Sequence, residues 1–274
     1  MSTARADAVA RLAAEPATSG LFSDYDGSIS EIVGDPSLAI PVPGVLDALH
    51  DLAGSLRVVA VISGRPARFL ADHLDIASRR SGLLAYGLYG LQSVQADGVV
   101  IDAADTGAGR PALLEAIAAA RLSAPGALVE DKGAIVSLHW RSRPSDEVAL
   151  RRIAERAAAS GAVEVREGRQ LVELALLTGP DKGAVVRLLC GGLHAACAIG
   201  DDVGDLAAFD ALDALGHDGV DAIKVAVSSD EAPEDLLGRA DLVLHGPRDV
   251  ADFLAELAGA ARGGPIRGTG PAGG

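Results

Sequence analysis

With 274 residues, 49% hydrophobic and only 3% aromatic, the chain can bury a sizeable core built mostly of Ala, Leu, Val and Ile. Its formal charge of −14, from 24 basic and 38 acidic residues, argues against nucleic acid or an anionic membrane as a partner. The same balance repels a phosphorylated small molecule at long range, so any phosphate site needs local positive charge or a metal.

Cys190 and Cys197 have neither Cys-x-x-Cys spacing nor a histidine arrangement for zinc, and read as two reduced, buried thiols. There is no stretch of about 20 apolar residues and no signal-like apolar core near residue 1, so the expectation is a soluble, cytoplasmic protein.

In chain order, residues 1–18 suit one short amphipathic helix. Residues 20–23 read as a short buried strand that ends in Asp24-Tyr25-Asp26-Gly27-Ser28. A proline-bearing loop, 30–43, leads to a helix over 45–52, where Val45, Leu46, Leu49 and Leu52 share helical spacing. A second apolar strand, 57–62, stops abruptly at Ser63-Gly64-Arg65. A helix is predicted over 69–76 and several short strands over 83–101. From about 105 the texture changes. A glycine-bearing linker (106–110) precedes a helix (111–122), strands at 127–130 and 134–141, a helix from 145 to about 160, and strands at 163–166 and 170–175. This order describes a small α/β sandwich, 105–180, inserted between a first core segment, 1–104, and a second, 181–262. In the second segment a helix starts at Asp181. A third apolar strand, 195–199, ends in Gly200-Asp201-Asp202-Val203-Gly204-Asp205, and short strands follow at 224–227 and 242–244. Residues 263–274 are Gly/Pro-rich and predicted to be disordered. The fold class expected is α/β, a doubly wound parallel sheet with an inserted small α/β domain.

Three strands thus end in acid, hydroxyl and acid cluster, and Lys182 opens the helix before the third. In an open α/β sheet such strand ends converge on one edge, where ligands bind. The chemistry that suits the set is phosphoryl transfer through an aspartyl-phosphate. Asp24 attacks phosphorus; Asp26 protonates the leaving alkoxide and later takes a proton from the hydrolytic water. Ser63 and Lys182 hold non-bridging oxygens. Asp24, Asp201 and the main-chain carbonyl of Asp26 bind Mg²⁺. Asp205 is either a further ligand or a support for the cluster, and Asp202 either a ligand or a helix cap. Arg65 either contacts substrate or braces the cleft. A carboxylate ~4 Å from a phosphate dianion is opposed by roughly 8 kcal/mol at an effective dielectric near 20, so the metal and Lys182 are needed to offset it.

Asp24-Tyr25-Asp26-Gly27-Ser28, Ser63-Gly64-Arg65, Lys182 and Gly200-Asp201-Asp202-Val203-Gly204-Asp205, in that order, resemble the four motifs of the haloacid dehalogenase (HAD) superfamily of aspartate-nucleophile phosphatases. The insert resembles that superfamily's α/β cap. Over about residues 20–260 the chain is most similar to the trehalose-6-phosphate phosphatases, through Tyr89-Gly90-Leu91, Val129-Glu130-Asp131-Lys132-Gly133, Leu138-His139-Trp140-Arg141 and Val172-Glu173-Leu174. The resemblance implies that Glu130, Lys132 and Glu173 contact the sugar, with Mg²⁺ as cofactor and a small sugar phosphate as substrate. His139 and Trp140 are either part of that sugar site or plain sheet residues. Ala175 and Leu176 stand where the family carries Arg-Pro, Ser28 where it carries Thr, and Gly204, Leu206 and Ala207 where it carries Thr, Glu and Asp. These departures bear on the sugar more than on the reaction. They leave open a phosphatase of another sugar phosphate (sucrose phosphate or a glucosyl-glycerate phosphate) and a catalytically silent sugar-phosphate sensor.

Overall fold

The computed structural model describes residues 3–102, 109–177 and 179–263. Most of the predicted 106–110 linker and of the predicted tail lies outside the described residues.

Helix α1 (Thr3–Ala14) is followed by β1 (Ser19–Ser23), α2 (Val45–Ala53) and β2 (Val58–Ile62). The single helix expected over 69–76 is two, α3 (Ala67–His73) and α4 (Ile76–Arg79), because Asp75 between them adopts a left-handed φ of 52°. Three short strands follow, β3 (Leu84–Gly87), β4 (Gln92–Val94) and β5 (Val100–Asp102). The next stretch holds α5 (Arg110–Ser123), β6 (Leu128–Asp131), β7 (Ile135–His139), α6 (Glu147–Ala158), β8 (Val163–Gly168) and β9 (Leu171–Leu176). The chain then runs through α7 (Lys182–Leu189), β10 (Ala195–Gly200), α8 (Leu206–His217), β11 (Asp221–Ser228), α9 (Glu234–Arg239), β12 (Leu242–His245) and α10 (Gly246–Gly263).

Among the described residues these strands form two sheets. The larger has the order β12-β11-β10-β1-β2-β3-β4-β5, parallel from β12 to β3 and antiparallel at the β4 and β5 edge. Strands β1 and β10 are buried along their whole length, as expected of parallel strands covered on both faces. Leu12 of α1, Leu49 of α2 and Leu254 of α10 pack on one face with Leu21 and Val59. Val186 of α7, Phe209 of α8 and Leu236 of α9 pack on the other with Phe22 and Ala198.

The smaller sheet is antiparallel, β6-β7-β9-β8. The period of two along a strand sorts its residues onto two faces. Val136, Leu138, Val172 and Leu174 point to α5 and α6 and pack with Leu113, Leu150 and Trp140. Ser137, His139 and Glu173 share the opposite face, toward the large sheet. Ile135 and Ala175 also lie on that face and pack against Leu88 from the β3–β4 connection. Ala175 therefore fills an apolar contact between the sheets, where the arginine of the resemblance would place a charge.

Candidate active site

Asp24, Ser63 and Asp201 each follow the last residue of one of three neighbouring parallel strands, β1, β2 and β10. Register brings them together: Ser23 pairs with Ile199 and Val61, and the Asp24 N–H donates to the Ile199 carbonyl at 2.9 Å. Two glycines let the strand ends crowd. Gly27 takes a φ of +76°, and a Cβ there would lie 2.1 Å from Asp201 Oδ2. A Cβ on Gly200 would lie 2.1 Å from Asp205 Cγ.

Lys182 is the first residue of α7, whose N-cap Asp181 accepts from the Ala184 N–H at 2.7 Å. Its buried ammonium lies 2.9 Å from Asp24 Oδ1 and 2.7 Å from Asp205 Oδ1. Burial alone would lower the Lys182 pKa, but Asp205 and Asp24 win and hold it well above its ordinary value. Asp24, Asp201 and Asp205 are buried, each with a carboxylate oxygen within 4.8 Å of the others. Burial pushes Asp24 well above the usual carboxylate range; Lys182 pulls it back, and Asp205, Asp202 and Asp26 add to the rise. Burial likewise raises Asp201, with repulsion from Asp24, Asp202 and Asp205. A compact, all-oxygen donor set strained by its own repulsion suits a hard divalent cation, which would relieve it.

The two acids whose roles the sequence leaves open are engaged in local bonds. Asp205 Oδ2 accepts from the N–H groups of Asp201 (2.9 Å) and Asp202 (3.1 Å), while Asp202 Oδ1 accepts from the Gly204 N–H at 2.8 Å. Together they form a capping box at the start of the turn that leads into α8. Ser28 Oγ donates to Asp201 Oδ1 at 3.3 Å, so the hydroxyl of the first motif supports an acid of the last.

Asp26 lies apart from the carboxylate trio. Arg65 grips it with two bonds, Nε to Oδ2 at 2.7 Å and Nη2 to Oδ1 at 2.6 Å, and donates through Nη1 to the Pro36 carbonyl at 2.7 Å. Here Arg65 braces an acid of the first motif. Ser63 is buried at the cleft floor, its Oγ accepting from the Arg65 N–H at 3.1 Å.

Across the cleft stand the residues the resemblance singles out. Glu173 Oε1 accepts from Ser137 Oγ at 2.7 Å and Lys132 Nζ at 3.0 Å, and Oε2 accepts from Tyr89 Oη at 2.5 Å. Burial opposes its ionisation, yet Lys132 and these hydrogen bonds lower its pKa to about 2. Lys132 Nζ also reaches the Gly64 carbonyl at 3.4 Å and so touches the Ser63 loop. Glu130 Oε2 lies 2.8 Å from His139 Nε2. His139 lines the cleft, whereas Trp140 is buried against α6 with the Arg151 guanidinium 4.8 Å over its ring. The cleft between the sheets holds about 590 Å³ and is lined by Asp24, Asp26, Ser63, Arg65, Glu130, Lys132, Glu173, Lys182 and Asp201. That volume lies within the range of roughly 300–1,000 Å³ common for small-ligand sites. Arg141, Arg166 and Arg169 line it too, which supplies the local positive charge that a protein of net −14 needs against an anion.

Arg169 carries no signal in the sequence, and Tyr89 enters there only as part of Tyr89-Gly90-Leu91, with no role of its own. Tyr89 sits in a left-handed turn (φ 59°), a conformation whose contacts sequence does not reveal, with the Arg166 guanidinium 4.9 Å over its ring. Arg169 follows Gly168 at a hairpin tip, where a basic residue ordinarily reads as solvent-exposed.

A family model described as trehalose-phosphatase matches residues 22–85. The trehalose-phosphate phosphatase of Mycobacterium marinum is 33% identical over 251 residues, an alignment covering 87% of this chain and 61% of that one. The chain thus spans about three fifths of the length of the curated relatives it matches. Among solved structures, the C-terminal domain of the C. albicans trehalose-6-phosphate phosphatase superposes with a TM-score of 0.78 at 20% identity, covering 93% of this chain and 96% of that one. A HAD subclass IIB sugar phosphatase superposes with a TM-score of 0.56 at 16% identity, covering 89% and 100%. Residues 22–85 match the trehalose-phosphatase family model, most of the chain is similar to trehalose-phosphate phosphatases, and its fold is that of the solved phosphatase structures it superposes on.

Proposed function

We propose that the protein is a Mg²⁺-dependent phosphatase that hydrolyses trehalose 6-phosphate to trehalose and phosphate. The observation that carries this reading is the juxtaposition of Asp24, backed by Lys182 and the acid cluster, with Asp26 two residues on and in a separate ion pair. Asp24 Oδ forms a bond to phosphorus as the phosphorus–oxygen bond to the sugar breaks. The leaving alkoxide takes its proton from the Asp26 carboxyl. Water then attacks phosphorus, its proton passes to Asp26, and the Asp24–phosphorus bond breaks to release phosphate. Arg65 orients Asp26 and must loosen its hold when that carboxyl is protonated. Lys182 and Ser63 stabilise non-bridging oxygens. Bound at Asp24 and Asp201, with Asp205 behind them, Mg²⁺ would offset charge on the phosphate.

We read the four-stranded sheet with α5 and α6 as the cap, contributing Glu130, Lys132 and Glu173 toward the sugar. Glu173 already has three partners, so Lys132 and the Glu130–His139 pair are the better placed to meet sugar hydroxyls. No helix among the described residues is long and apolar enough to cross a membrane, and the charge balance fits a free small-molecule substrate. Ala175 supports a second reading, in which the same chemistry acts on another sugar phosphate. Phosphate release in the presence of Mg²⁺ from trehalose 6-phosphate, sucrose 6-phosphate, a glucosyl-glycerate phosphate and p-nitrophenyl phosphate separates the readings. Turnover of the aryl phosphate alone would sink the disaccharide assignment, and turnover of none would sink the enzyme.

A further inference from the structure

Strands β8 and β9 are joined by a two-residue tip, Arg169-Gln170, with Gly168 paired to Leu171 and Gln170 at a left-handed φ of 53°. This tip reaches across the cleft to the large sheet. Arg169 Nη2 lies 2.7 Å from Asp201 Oδ2 and donates to the Asp201 carbonyl at 3.2 Å. Its Nε, buried and without a hydrogen bond, lies 3.9 Å from Glu231 Oε2. Gln170 Nε2 donates to Glu231 Oε1 at 3.3 Å. The guanidinium is largely buried, with 15% of the side chain exposed, and Asp201 is almost fully so. One positive charge from the small sheet therefore sits on an acid of the carboxylate trio, on the oxygen that Ser28 does not hold.

We propose that Arg169 is a built-in counter-ion that competes with the divalent cation for Asp201, so that metal entry requires the β8–β9 tip to lift from the large sheet. This rests on the metal assignment under the proposed function. The guanidinium on Asp201 Oδ2 occupies lone-pair space that a metal there would use, and a second cation held within a few ångströms opposes the first. With the tip docked, Asp201 is neutralised and the cleft is bridged. With the tip lifted, Asp201 is free and the cleft is open to a ligand. Metal loading and opening of the hairpin are thus two readings of one equilibrium, and apparent metal affinity is reduced by the fraction of molecules whose tip is docked.

The test is Mg²⁺ binding by calorimetry to the full chain, as wild type, Arg169→Ala, Arg169→Lys and Glu231→Gln, with thermal unfolding to confirm that each folds. Arg169→Ala is expected to bind Mg²⁺ about tenfold or more tightly than wild type, with Arg169→Lys between them. Glu231→Gln separates a latch from a simple field effect. Loss of a nearby negative charge by itself weakens cation binding, whereas loss of a partner of the docked tip tightens it, here by about two- to threefold for a half-exposed pair. In wild type, Mg²⁺ should also speed hydrogen exchange at residues 168–171. Equal or weaker binding by Arg169→Ala would overturn the proposal and make Arg169 a support that orients Asp201 for the metal. Tighter binding by Arg169→Ala with weaker binding by Glu231→Gln would reduce it to a field effect. If no form binds Mg²⁺, the metal assignment falls as well; if wild type binds and Arg169→Ala gains nothing, only the latch falls.

Discussion

The Tyr89 hydroxyl, held by a left-handed turn of the large sheet, donates a 2.5 Å hydrogen bond to Glu173 on the small one. It links the Ser63 loop to the face that looks onto the cleft, because the Tyr89 N–H also donates to the Ser63 carbonyl at 3.0 Å. Burial, together with the Glu173 charge, holds the phenol well above its ordinary pKa, so it donates at every pH of interest. Tyr89→Phe leaves one oxygen of a buried carboxylate without a partner. The expected cost is about 1–3 kcal/mol of stability, read as a lower urea midpoint with an unchanged slope. The sugar phosphate should also lose turnover while an aryl phosphate does not. A variant as stable as wild type would show that the bond does not tie the sheets together.

Asp24→Asn should abolish phosphate release from every substrate while leaving the fold intact. The amide keeps a polar group beside Lys182, which retains Asp205 as a partner, and it removes one of several mutually repelling buried charges. Stability of the metal-free protein should stay within about 1 kcal/mol of wild type or rise. Asp26→Asn should still accept phosphate from an activated aryl ester, whose leaving group needs no proton, and fail with a sugar phosphate. Residual turnover of Asp24→Asn above background would move the nucleophile elsewhere.

Chelation should remove turnover and leave the far-ultraviolet circular dichroism unchanged. Without a metal the acids already have protein partners: Lys182 on Asp24 and Asp205, Arg169 and Ser28 on Asp201. The apolar layers on both faces of the large sheet do not involve them. Loss of secondary structure on chelation would mean that the metal is structural.

How much of this was legible follows from how local each signal is. Apolar runs that stop at Asp24, Ser63 and Asp201 announce strand ends, and because parallel strands share one carboxyl edge the convergence follows from topology alone. The break at Asp75 was not legible, since the apolar spacing continues through it while the backbone turns left-handed. Arg65 was visible as a candidate, but its grip on Asp26 spans 39 residues and depends on a loop of no regular period. Tyr89 and Arg169 were missed because their partners lie on the other sheet, a relationship that neither spacing nor composition encodes. Trp140 is the converse: the sequence left it as either part of the sugar site or a plain sheet residue, and the alternation of β7, carried one residue past its end, turns it into the core.

Lys132→Ala should separate the sugar from the chemistry. Its ammonium faces Glu173 at 3.0 Å and Glu130 at 3.9 Å and makes no contact with the carboxylate trio. Loss of a charged hydrogen-bond partner predicts about a ten- to hundredfold fall in kcat/KM on a disaccharide phosphate, and a much smaller change on p-nitrophenyl phosphate. Equal loss on both would put Lys132 in the core chemistry or in folding.

Glu173 carries the pH signature of the small sheet. An acid whose folded pKa lies below its unfolded value binds fewer protons when folded. Its contribution to stability is therefore complete above the unfolded value, ~4.3, and is lost as pH falls toward the folded value of about 2. The size is on the order of 3 kcal/mol, enough to be visible in a domain of ordinary stability. Glu173→Gln lacks this proton linkage and leaves Lys132 with Glu130, at 3.9 Å, as its remaining anionic partner. The variant should be the less stable protein at pH 7, and the gap should close between about pH 4.5 and 2 as the wild-type carboxylate takes up its proton. Urea unfolding of both proteins at pH 7, 5, 4 and 3 measures the gap directly. A gap that stays constant across that range would show that the stabilising partners of Glu173 do not depend on its charge, and that the Lys132 ammonium serves Glu130 or the substrate instead.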